Sequence, residues 1–265
     1  MLLGCNYSSE LIELLKEGTV DIDYIKLGLY DLYNGVYEEA LSFKPILLHG
    51  LGFCERASMQ NIEQIDWNYV NTSFKVFKSP HYAIHLLAHS DDFFDTSATN
   101  NMVEYMMKVV DFWKQNCNIP LLVENAPYSN YDEKEFGVIR FCTDANFIND
   151  VISKCDVDLL LDLSHAKVAS FNRGENIFSY LNKLPLNRVK EIHVSGSEKV
   201  CNELRDKHIE MNDDDYEILK WTLNNTSPNI VTLEYGGPGE IYSWRSNKNS
   251  LKYQLIKLRE IIDKY

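Results

Sequence analysis

The sequence contains no long apolar run, no basic leader and no stretch rich in Pro, Gly or Ser. The first absence argues against a membrane-spanning helix, and the second against a secretory signal, since Met1 leads straight into a strand-like segment. With no linker to divide it, the chain of 265 residues is expected to fold as a single domain, 1–265, with a large core. The six cysteines, Cys5, Cys54, Cys117, Cys142, Cys155 and Cys201, include no CxxC pair. Free thiols in a reducing cytoplasm are the expectation, not a disulfide framework. Positive charge is also scarce: 26 Lys and Arg against 39 Asp and Glu leave a formal net charge of -13, with no basic run. That balance disfavours a nucleic-acid partner. Neither a GxSxG elbow nor a Walker loop is present, and no Gly-rich phosphate turn follows the first apolar segment.

What the chain does have is alternation. Short apolar runs recur at Leu2 to Asn6, Tyr24 to Gly28, KPILLHG, HYAIHLLAH, PLLVEN, the run closing on Asp162, RVKEIHVSG and NIVTLEYGG. Between and after them lie eight segments with helical spacing or caps. These are SSELIELLKEG, Tyr30 to Ser42, part of Ile62 to Lys78, Asn101 to Asn116, Asp144 to Lys154, Glu175 to Leu184, Asp213 to Asn224 and Ser250 to Tyr265. Eight strands alternating with eight helices predict an α/β fold, a single (β/α)8 TIM barrel. A doubly wound open sheet is the alternative.

The strand ends carry the chemistry. In LLLDLSHAKV an apolar run of the kind buried on both faces stops at Asp162, with His165 three residues later. Five other runs also finish on a metal-competent side chain: His49, His85, Glu124, His193 and Glu234. In a barrel all six converge on the C-terminal face, where active sites of this fold lie. Asp206 and His208, in RDKH, follow just beyond a strand end as His165 does. Nine candidate ligands, five imidazoles and four carboxylates, exceed what one ion uses, so two or three ions are expected, with Glu124 or Glu234 bridging a pair. Imidazole with carboxylate suits iron, zinc or manganese. Each residue has a plainer reading: Asp162 as a helix cap, a lone His as a satisfied core residue, the net charge as simple solubility. The coincidence of the whole set favours the metal site. Asn125, Tyr128, Ser195 and Lys207 stand beside proposed ligands and are candidates for substrate contact, whereas His81 and His89 are expected not to be ligands.

The order His, His, Glu, Asp-x-x-His, His, Asp-x-His, Glu resembles the trinuclear site of endonuclease IV-like enzymes in the xylose isomerase-like barrel superfamily. The longer segments LVENAPY, LLLDLSHAKVASFNRG, YLNKLPLNRVKEIHVSG, DKH and IVTLEYGG are more similar to the multinuclear non-heme iron-dependent oxidative enzymes, formerly an uncharacterised protein family. That resemblance runs from about His49 to Glu234. It implies a barrel holding two or three irons that use dioxygen to modify a residue, often cysteine, of a ribosomally made precursor peptide. It also implies a partner protein that recognises the peptide leader. Carried over, His49, His85 and Glu124 would hold one metal, and Glu124, Asp162, His193 and Glu234 a second. His165, Asp206 and His208 would hold a third. His165 stands where many members of that family carry Asn, which brings the third set closer to the nuclease pattern. The alternatives are a zinc-dependent phosphodiester hydrolase, a metal-dependent sugar isomerase or epimerase, and a non-catalytic barrel stabilised by its metals.

Overall fold

The computed structural model describes residues 1–52, 62–93 and 98–265. Eight parallel strands close into a barrel: β1 (Leu2–Asn6), β2 (Tyr24–Leu27), β3 (Ile46–His49), β4 (Tyr82–His85), β5 (Leu121–Glu124), β6 (Asp158–Asp162), β7 (Val189–Val194) and β10 (Ile230–Leu233). They follow chain order around the ring, and β1 closes it against β10 with Leu3 opposite Val231. This is the expected (β/α)8 architecture. Helices pack outside, the longer ones through apolar stripes such as Leu11, Ile12 and Leu14, or Met102, Met106, Val109, Val110 and Trp113. No helix among the described residues is long and apolar enough to cross a membrane.

Side chains alternate in and out along a strand, so residues two apart share a face. Two positions before the strand-end ligands stand Leu47, Ala83, Leu122, Leu160, Glu191 and Thr232, which continue the inward face below them. Ala83, Leu122 and Leu160 form a small buried cluster of their own. Gly4 on β1 is held to glycine by crowding: a Cβ there would lie 2.6 Å from Thr232 Oγ1. The interior is therefore a packed plug on which the site rests.

Two departures from the sequence reading matter. RDKH does not simply follow a barrel strand: after β7 the chain forms an antiparallel hairpin of β8 (Gly196–Val200) and β9 (Glu203–Ile209), and Asp206 and His208 lie on β9. Additional helices occupy Leu163–Asn172 and Asn130–Phe136. The first has almost no amphipathic pattern because it is buried nearly all round, from Leu163 through Ser170. The segment read as helical from Glu175 to Leu184 contains only a short helix, Ile177–Leu181, capped by Asn176.

Candidate metal centre

Three groups of ligands come together at the mouth: His49 with His85 and Glu124; Glu124 with Asp162, His193 and Glu234; and His165 with Asp206 and His208. Within each group the ligand atoms lie within 4.8 Å of one another. The strand ends supply six of the nine residues, β9 supplies Asp206 and His208, and the helix after β6 supplies His165. Glu124 belongs to two groups. Its Oε2 is 2.6 Å from His49 Nε2 and 3.1 Å from His85 Nε2, while Oε1 is 3.4 Å from His193 Nδ1. Asp162 Oδ2 lies 3.8 Å from His165 Nε2, and Glu234 Oε2 lies 3.4 Å from His208 Nδ1, so the groups adjoin.

The backbone fixes which nitrogen each imidazole presents. His49 Nδ1–H donates to Ala83 O at 2.8 Å, and His165 Nδ1–H donates to Asn125 O at 2.8 Å, leaving Nε2 of both rings toward the acids. His193 is turned the other way: Nε2–H donates to Glu191 Oε1 at 3.2 Å and Nδ1 faces Glu124 and Glu234. Glu191 is buried and also meets His81 Nε2 at 2.5 Å and Thr232 Oγ1 at 2.6 Å. A carboxylate behind an imidazole in this way sets its tautomer and raises its basicity as a ligand. Asp162 serves twice. Its Oδ1 accepts from His165 N at 2.7 Å, capping the helix, while Oδ2 is left for the site.

This arrangement fits bound cations. Both carboxylate oxygens of Glu124, Asp162 Oδ2 and His193 Nδ1 are buried with no hydrogen bond of good geometry, although other ligand atoms crowd around them. Burying four carboxylates in so small a volume is costly without compensating positive charge. In the metal-free chain protons stand in for it. Burial alone would raise the Glu124 carboxyl, but His85 and His49 hold it well below the usual carboxylate range. Asp206 is likewise raised by burial and brought well below by His208 and His165. Burial opposes charge on His165, yet Asp162, Asp206 and Glu124 lift its pKa to about 10. The proton that His165 keeps supplies positive charge where a metal would.

Two residues of the site escaped the sequence reading. Lys26, on β2, is buried and pairs with Glu234 Oε1. Glu191 sits two residues before His193, a spacing that could have revealed it. Of the residues expected near substrate, Asn125 is fully buried, and its side-chain amide bonds Asp162 N at 2.8 Å and Asp162 O at 2.9 Å. Its position therefore holds the end of β6 in place. Tyr128 is buried beside Val138 and Ala169, with its hydroxyl on Glu133. Ser195 lines a narrow crevice with Met211, Asp215 and Ile218. Lys207 is partly exposed on β9, in the bulge between Asp206, which pairs with Ser197, and Ile209, which pairs with Gly196. His81 is engaged by Glu191, and His89 Nδ1–H donates to Phe136 O at 2.6 Å; neither joins a ligand group.

Known proteins share this framework. The fold matches the IOLI protein with a bound zinc atom at a TM-score of 0.66, with 14% identity over 100% of this chain and 99% of that one. Endonuclease IV from Thermus thermophilus matches at 0.57, with 12% identity over 97% and 99% of the two chains. Among sequence relatives, a UPF0276 protein of Acaryochloris marina is 25% identical over 193 residues, 69% of this chain and 64% of that protein. Another from Shewanella sediminis is 23% identical over 218 residues, 76% of this chain and 74% of that protein. The match to a third, from Acinetobacter baylyi, spans half of that protein's length. Residues 30–238 match the family described as RiPP precursor modification enzyme MbnB/TglH/ChrH, RiPP denoting a ribosomally synthesised and post-translationally modified peptide. The match takes in all nine candidate ligand residues and most of the barrel, and the chain belongs to this MbnB/TglH/ChrH family.

Proposed function

We propose that the chain is a cytoplasmic, multinuclear non-heme iron-dependent oxidative enzyme that uses dioxygen to modify a residue, a cysteine in the leading case, of a ribosomally made precursor peptide. The observation that carries this reading is the sharing of Glu124 between two ligand groups, with a third adjoining, in a chain of a precursor-modifying family. His49, His85 and Glu124 would hold one iron, Glu124, Asp162, His193 and Glu234 a second, and His165, Asp206 and His208 a third. Iron held there supplies the capacity to bind and acidify a substrate thiol and to use dioxygen as oxidant.

The protein's own contribution is positioning and charge. Backbone carbonyls and Glu191 aim the imidazoles before any ion arrives, so little reorganisation accompanies binding. The four carboxylates of the three groups would balance the charge of two divalent ions, so a fully loaded site would favour an anionic ligand such as a thiolate. Glu124, Asp162, His193 and Glu234 surround the reacting region. Of the residues beside it, Lys207 on the hairpin would meet an incoming peptide, and Asn125, Tyr128 and Ser195 would support the surrounding loops. The cysteines among the described residues are free, in keeping with a reducing compartment; Cys54 lies outside them. A partner that binds the peptide leader completes the proposal.

The test is oxygen uptake and peptide mass change when iron-loaded protein, made without air, meets a cysteine-containing precursor peptide with and without its partner. Stoichiometric oxygen consumption with a modified peptide supports the reading. A zinc-only protein that consumes no oxygen but cleaves abasic duplex, with cleavage lost on chelation, would replace it with the hydrolase alternative.

A further inference from the structure

The carboxylate behind His193 has three donors, and two of them come from elsewhere on the barrel wall. Glu191 Oε1 accepts from His193 Nε2–H at 3.2 Å and from Thr232 Oγ1–H at 2.6 Å, while Oε2 accepts from His81 Nε2–H at 2.5 Å. All four residues are buried. Thr232 lies on β10, which pairs with β7, but His81 stands one residue before β4, and β5 and β6 separate that strand from β7 in the ring. The His81 ring therefore reaches across the barrel interior to a strand it does not neighbour. Its backbone is pinned: Ser79 Oγ–H donates to His81 O at 2.8 Å and accepts from Leu48 N at 3.0 Å, tying the approach to β4 to β3. Thr232 has its own support, since Gly4 on β1 leaves the space that its hydroxyl occupies.

A barrel plug does not need this cluster. Leu47, Ala83, Leu122 and Leu160 fill the same interior with apolar side chains, and a buried carboxylate with its polar partners costs more than apolar packing of similar volume. What the arrangement gains is a fixed acceptor. With both oxygens engaged the carboxyl plane is held against rotation, so Oε1 stays at His193 Nε2–H while His193 Nδ1 faces Glu124 Oε1 and Glu234 Oε1, each at 3.4 Å. We propose that His81 and Thr232 are positioning residues of the metal centre, which fix Glu191 and through it the tautomer and donor strength of His193. This role rests on the reading above only in taking Glu124, Asp162, His193 and Glu234 as a metal site; it requires neither iron nor a peptide.

The experiment uses cobalt(II) as the probe on the full chain, as wild type, H81L, H81Q, T232V, E191Q and the H81L/E191Q double variant. Competition with a chelator gives the affinity of each cobalt equivalent, and the paramagnetically shifted imidazole N–H signals report how firmly each ring proton is held against exchange with solvent. Wild type is expected to show one slowly exchanging signal that E191Q abolishes, that of His193 Nε2–H. H81L and T232V are each expected to weaken one equivalent about 10-fold and to speed exchange of that same proton. H81Q, which keeps a donor at similar reach, restores both. H81L adds nothing to E191Q, because its effect passes through Glu191. T232V keeps the shape of the side chain, so it carries the test where H81L fails to fold. Unchanged affinity and exchange in T232V and a folded H81L, or a loss in the double variant equal to the two single losses combined, overturns the assignment and leaves the metal site standing. A wild type with no cobalt equivalent sensitive to E191Q overturns both.

Discussion

Replacing Glu124 by Gln separates the three ligand groups. Gln keeps the shape of the side chain but removes the charge from a residue whose two oxygens lie 2.6 Å from His49, 3.1 Å from His85 and 3.4 Å from His193. Two groups therefore lose their shared carboxylate, while His165, Asp206 and His208 retain their own acid, with Asp206 Oδ2 2.8 Å from His208 Nε2. A metal present at about 100 times its dissociation constant stabilises the fold by about 2.7 kcal/mol per site. Loss of two sites then removes about 5 kcal/mol, or about 10 to 20 °C of the metal-induced rise in melting temperature for a domain of this size. The assay is thermal melting of wild type and E124Q with added metal and after chelation, paired with metal analysis of each sample. The expected E124Q protein keeps one equivalent and a small residual shift. If it keeps the wild-type metal content and the full shift, Glu124 is not shared as the geometry indicates.

Other perturbations follow from the same structure. E191Q weakens the hold on His193 Nε2 and is expected to reduce affinity at the Glu124–Asp162–His193–Glu234 group by about 10- to 100-fold, read by competition with a chelator, with the other groups intact. W113A removes a fully buried ring packed 4.8 Å from Trp67 and 5.1 Å from Tyr82, and should cost about 3 to 5 kcal/mol in denaturant unfolding. A smaller loss would show that the helix Thr99–Asn116 repacks freely. Among the described cysteines, exposed Cys201 should react with a maleimide first in the native protein, as mass spectrometry of digests would show. Burial pushes Cys142 up to about 12 and raises Cys5 further, so both should label only on unfolding. Early labelling of Cys142 would contradict its placement.

The barrel was legible because parallel strands buried on both faces read as short apolar runs, and because each ends where the chain leaves the core. That is why His49, His85, Glu124, Asp162, His193 and Glu234 could be picked out one run at a time. Asp162 shows that the plain and the chemical readings of a residue need not compete: one oxygen caps the helix and the other faces the site. The hairpin was missed because GSEKV and ELRDKHI are polar, and a strand that packs at the rim of a barrel lacks the alternation of a half-buried sheet. The helix at Leu163 was signalled only by the plainer reading of Asp162 as its cap, because a helix buried nearly all round shows no amphipathic period. Lys26 was invisible as a site residue because a single charge inside an apolar run does not say which partner it meets, and Glu234 lies 208 residues away; Glu191, two residues before His193, could have been found from the shared strand face. His208 adds a local signature that sequence does not carry, a left-handed φ of +46° in a residue that is not glycine.

The central claim is that nine side chains from eight segments of the chain hold one cluster of ions. Metal content per chain, determined on protein purified without air and again after iron reconstitution, tests it most directly. The account predicts two or three equivalents of iron, reduced when Asp162 or His193 is replaced. Less than one equivalent of any transition metal after reconstitution, or a content indifferent to those replacements, would contradict it.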